Sequence, residues 1–145
     1  AASMGWLTHV YEVEVAMGGR REEVADAMRE ILKSTKHYAL MDSADSLFKR
    51  PGDKHEIKHA YLNSVVDPNA LLVVGTCTSP LMKFVDDIAF TIVSSGGGVT
   101  VKGLSVSRIG EGDMFKNKKN IETVLKLLSQ KNEMFKASSK KVIRS

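Results

Sequence analysis

The sequence predicts an α+β fold: a mostly antiparallel sheet of about five strands, with two helices packed on one face. Three observations carry this. Several segments alternate apolar and polar residues with period two, as strands with one wet face do. Two segments show one-sided apolar stripes with helical spacing. The strands in the middle of the chain are separated by Pro- and Gly-containing turns too short for a helical crossover, so neighbouring strands pair as hairpins.

The first strand is Val10 to Ala16, where Tyr11, Val13 and Val15 alternate with Glu12 and Glu14. Gly18 and Gly19 end it. From Arg20 to Lys33 the period becomes helical, with Val24, Ala27, Met28 and Ile31 on one stripe and Leu32 widening it. Glu22 and Glu23 near its start and Lys33 near its end suit the helix dipole. The segment 36–69 is the least regular, although His55 to Tyr61 alternates as a strand between turns at Pro51-Gly52 and Asp67-Pro68-Asn69. Leu71 to Thr78 is a near-continuous apolar run, as in a central strand, and Ser79-Pro80 ends it. Asp87 to Val93 alternates again, a Ser- and Gly-rich hairpin loop follows at 94–98, and Val99 to Ser107 is the partner strand. Ile121, Val124, Leu125 and Leu128 form the stripe of a closing helix. Residues 1–130 are expected to form one domain. Residues 131–145 read as a basic, partly disordered tail whose removal leaves the fold intact.

The net charge of +4 conceals an asymmetry: residues 101–145 carry 11 basic and four acidic side chains, whereas residues 1–100 carry 10 and 13. The final helix and tail thus predict a partner-facing basic surface built from Lys118, Lys119, Lys126, Lys131, Lys140 and Lys141. An acidic protein surface is the partner it suits. Nucleic acid is disfavoured, because Phe115 and Phe135 are the only aromatic residues in this third and no recognition module is visible. A single Cys excludes a disulfide framework, and no apolar run is long enough to span a bilayer.

Chemistry-bearing motifs are few. His55-Glu56-Ile57-Lys58-His59 matches the H-E-x-x-H zinc pattern, in which His55 and His59 share a helix face and Glu56 is the general base. The surrounding alternation favours a strand, which would hold the two imidazoles about 13 Å apart, so no metal or other cofactor is expected. Asp86 and Asp87, adjacent in a strand, point to opposite faces and cannot act as a carboxylate pair; one of them is expected to cap backbone N–H groups at a strand-entry turn. Cys77 reads as an inert buried thiol. Ser107, Arg108, Asp113 and Asn117 mark a strand-to-helix corner, where Asp113 or Asn117 caps the closing helix and Arg108 pairs with Asp113, Asp86 or Asp87.

Phe84-Val85-Asp86-Asp87, the Gly-rich hairpin, and Ser105-Val106-Ser107-Arg108-Ile109-Gly110 with Asp113 and Asn117 resemble one domain-of-unknown-function family. That family occurs in proteobacteria, cyanobacteria, algae and plastids. The resemblance implies a compact α+β fold, brings no activity or cofactor with it, and leaves the location open between an organelle and the cytoplasm. This chain departs at Thr91, Leu104 and Asn120, where the family tends to have arginines, and at Phe115, where glycine is usual. An anion site built from those arginines would be weakened here.

The function these observations favour is a non-catalytic soluble binding domain, an accessory or assembly subunit of a larger complex. The alternatives are a zinc-dependent hydrolase using the His55–His59 segment, and a carrier of small apolar ligands with a pocket between sheet and helices.

Overall fold

The computed structural model describes residues 10–41, 67–81, 83–107 and 114–144. The elements are β1 (Val10–Met17), α1 (Arg21–Ser34), β2 (Tyr38–Leu40), β3 (Ala70–Thr78), β4 (Val85–Ser95), β5 (Gly98–Ser107), α2 (Met114–Lys131), a 3₁₀ turn (Glu133–Phe135) and β6 (Ser139–Arg144). All described strand pairs are antiparallel, in the order β2-β3-β4-β5-β1-β6.

The alternation decides which side of the sheet the helices cover. Tyr11, Val13 and Val15 of β1 join Ile88, Phe90 and Ile92 of β4 and Val99 and Val101 of β5 in one buried layer. The stripes of α1 (Val24, Met28, Ile31, Leu32) and α2 (Ile121, Val124, Leu128) close over it. The opposite face holds a smaller buried cluster: Val10, Val74, Ala89, Leu104 and Val106. Among the described residues the expected α+β sheet with two helices is therefore present, with six strands rather than five. The β4–β5 loop is tighter than its composition suggests. Gly96 and Gly97 both adopt positive φ (55° and 87°), the two-residue turn that matches the twist of a hairpin.

The extra strands arise where pattern is weakest. β2 is only three residues long, too short to show a period. β6 lies in the segment expected to be a partly disordered tail. Almost all of its side chains are exposed, so burial imposes no alternation on its sequence. Its attachment is visible in the turn before it: Phe135 is buried, and Gly18 N–H donates to the Met134 carbonyl at 2.8 Å. A Cβ at Gly19 would meet Phe135 Cε1 at 2.7 Å, so the break after β1 both turns the chain and receives this ring. The strand expected over His55–Tyr61 lies outside the described residues.

Candidate functional site

Antiparallel register brings Cys77, Asp86 and Ser107 side by side at one end of the sheet, beneath the first turns of α2. Asp86 is 2% exposed, yet its carboxylate is paired with the Lys116 ammonium and accepts from Asn120 Nδ2 at 2.7 Å. Asn120 Nδ2 also donates to Ser105 Oγ at 3.2 Å. Ser105 Oγ donates to Asn117 Oδ1 at 2.7 Å, and Asn117 Nδ2 donates to Ser107 Oγ at 3.0 Å. The Tyr38 hydroxyl closes the group from β2 by donating to the Asn120 carbonyl at 2.8 Å. Buried polar side chains are stable only with partners, and these supply one another.

The arrangement joins α2 to the sheet. Ser105 and Ser107 face amide groups of Asn117 and Asn120 instead of a base. Burial pushes the Cys77 thiol up, so the thiolate that would act as a nucleophile is disfavoured. Burial, with the neighbouring Cys77 next in importance, also raises the Tyr38 hydroxyl well above its ordinary range. Among the described residues no group of three His, Cys, Asp or Glu side chains is placed to hold a metal ion.

Several expected site residues sit differently from the sequence reading. Asp86 and Asp87 do face opposite sides of the sheet, but both lie within β4 and are buried, not in a capping turn. Asn117 lies in the first turn of α2 with its side chain turned to the serines of β5, so it bridges rather than caps. Arg108 and Asp113 lie outside the described residues; among the described residues Asp86 takes Lys116 and Asn120. His55, Glu56 and His59 also lie outside them. Sequence reasoning missed Lys116, Asn120 and Tyr38. A signal existed for the asparagines: Asn117 and Asn120 extend the buried stripe of Ile121, Val124 and Leu128 by one turn. Asparagine on a core stripe implies a buried polar partner.

The predicted basic surface divides in two. Lys118 and Lys119 are exposed at the start of α2, whereas Lys131 ends it, about 18 Å further along the helix axis. Lys126 is exposed between them, and Lys140 and Lys141 lie on β6. Lys140 pairs with Glu122 of α2, and Arg144 Nε reaches Glu12 of β1 at 2.9 Å.

Two hollows lie away from the polar corner. One, of about 150 Å³, opens on the sheet face opposite the helices and is lined by Glu12, Lys102, Thr91, Thr100 and Leu104 among others. The alternative reading as an apolar-ligand carrier places its pocket on the other side, between sheet and helices, where Met28, Leu32, Phe90 and Ile121 are fully buried in the core. Thr91 and Leu104 line the far-face hollow while Asn120 is buried under α2, so these three positions do not converge on one surface. The second hollow is an open cleft of about 520 Å³ between the start of α1 and the β4–β5 turn.

A family model described as a protein of unknown function (DUF1499) matches residues 12–128, from β1 through most of α2; the 3₁₀ turn and β6 lie beyond the matched span. No curated protein and no solved structure matches the chain.

Proposed function

The chain belongs to DUF1499, a family of proteins of unknown function, and we propose that it is a non-catalytic binding domain that docks an acidic protein partner along β6. In this role it is an accessory or assembly subunit of a larger complex. One observation carries the reading. Among the described residues β6 is the last strand of the sheet order, and its side chains Lys140, Lys141, Val142 and Ile143 are exposed. An edge strand can accept an added strand from another chain through its main-chain groups. The lysines decide which strand that is. Lys140 is held by Glu122, but a second β6 would still bring Lys141 against like charge, whereas a segment carrying Asp or Glu between apolar residues complements Lys141 together with Val142 and Ile143. The polar corner supports the same reading, because its side chains are spent on one another.

Cross-linking mass spectrometry on the full chain, with protein captured from an extract of its source organism, tests this. Cross-links should fall on Lys140 and Lys141, and the charge-reversed Lys140→Glu/Lys141→Glu chain should lose the captured protein. Cross-links confined to α1, or capture unchanged by that double substitution, would refute it.

A further inference from the structure

We infer that the end of the sheet opposite the β4–β5 turn is a peripheral docking surface for an anionic lipid bilayer. Three segments meet there. The end of α1 and the turn that follows it (33–37) are joined to the end of β3, where Thr78 N–H donates to the His37 carbonyl at 2.9 Å. The β3–β4 turn closes on itself, with Ser79 N–H donating to the Phe84 carbonyl at 2.8 Å and Phe84 N–H to Ser79 Oγ at 2.9 Å. The first turns of α2 reach the same end through the Lys116–Asp86 pair.

Each apolar group displayed here is costly in water. Leu81 is 90% exposed, Phe84 41% and Phe115 69%. A leucine so exposed at a turn stands proud of the surface, which suits insertion between headgroups better than it suits lining a groove. Within these three segments the charge has one sign. Residues 33–37, 79–84 and 114–120 contain six lysines and no Asp or Glu; with Lys116 spent on the buried Asp86, five remain to face a ligand (Lys33, Lys36, Lys83, Lys118, Lys119). The nearby Asp86 is buried and already paired. Lysines distributed over three segments around apolar tips complement a laterally uniform negative surface, and each is worth about a fivefold gain in partitioning to anionic lipid. The backbone adds an independent sign. His37 (φ 74°) and Lys83 (φ 59°), the two non-glycine residues with positive φ among those described, both lie at this end. Such conformations collect where loops are held for function.

The inference is separate from the β6 reading and can fail without it. The test is co-sedimentation of the full chain with unilamellar vesicles, either phosphatidylcholine alone or with a third of the lipid replaced by phosphatidylglycerol. Binding should require the anionic lipid and weaken as salt rises. Lys83→Glu/Lys119→Glu should reduce partitioning at least tenfold and Leu81→Ser several-fold. Lys140→Glu/Lys141→Glu should leave it unchanged. All these side chains are exposed, so unaltered melting curves will show that the variants remain folded. Absence of binding to the anionic vesicles, equal binding to neutral ones, or loss only in the β6 variant would overturn the inference. So would binding of polyglutamate through Lys83 and Lys119 with none to vesicles, which would make this end a protein-docking surface.

Discussion

Replacing Asp86 by alanine removes the acceptor at the centre of the polar corner, and its cost can be worked from the geometry. The carboxylate accepts from Lys116 and from Asn120 Nδ2. Hydrogen bonds to a charged group contribute about 1.5–3 kcal/mol each, a gross loss of roughly 3–6 kcal/mol. Two features reduce it. The Lys116 side chain is 24% exposed and can turn to water, and Asn120 keeps its bond to Ser105. Removing the buried carboxylate also recovers part of its desolvation penalty. The net expectation is about 2–3 kcal/mol, or a fall in Tm of about 6–10 °C for a chain of this size. Lys116→Met should be worse, at about 3–5 kcal/mol, because it leaves the carboxylate buried without its cation. The double variant should then be more stable than Lys116→Met alone. Thermal and urea unfolding of the three variants measure this. A Tm within about 2 °C of the parent for Asp86→Ala, or strictly additive losses in the double variant, would refute the role given to this pair.

Phe135→Ala should cost about 3–4 kcal/mol by emptying the space against Gly19, and a chain lacking residues 131–145 should melt lower than the parent in calorimetry, contrary to the sequence expectation. Gly75→Ala should destabilise by about 1–3 kcal/mol, because its Cβ would lie 2.3 Å from the Ala39 carbonyl oxygen; hydrogen exchange should show lost protection at Tyr38–Leu40. Burial, reinforced by Glu122, pushes the Tyr11 hydroxyl up to about 12. The folded chain therefore holds this proton where the unfolded chain releases it, so its contribution is complete below pH ~10 and is lost as pH rises through about 12; denaturant titrations should show a flatter alkaline limb for Tyr11→Phe.

Where burial is one-sided the fold was legible in the sequence. β1, β4 and both helices carry a core-facing stripe, and for each the period alone identified the face. Legibility failed where burial leaves no period. β2 is too short, and β6 gains its place from backbone pairing with β1 and from the anchoring of Phe135, neither of which marks its own residues. The candidate site was half readable. Asp86, Asp87, Ser107 and Asn117 were singled out, but the capping role given to Asn117 assumed a later helix start than Met114. Lys116 was invisible, and the place of Asn120 on the core stripe gave no partner, because Asp86 is about thirty residues away in sequence and meets them only through the β4–β5 register. The lysines of the expected basic surface are divided in space, since α2 carries Lys118 and Lys131 to opposite ends of its axis.

Amide hydrogen exchange by mass spectrometry, comparing the full chain alone with the chain bound to its captured acidic partner, tests the binding role most directly. Docking along the edge strand predicts new protection concentrated in Ser139–Arg144, with residues 105–120 unchanged. Protection gained at 105–120 while Ser139–Arg144 exchanges as in the free chain would contradict it, and would make the polar corner the working site.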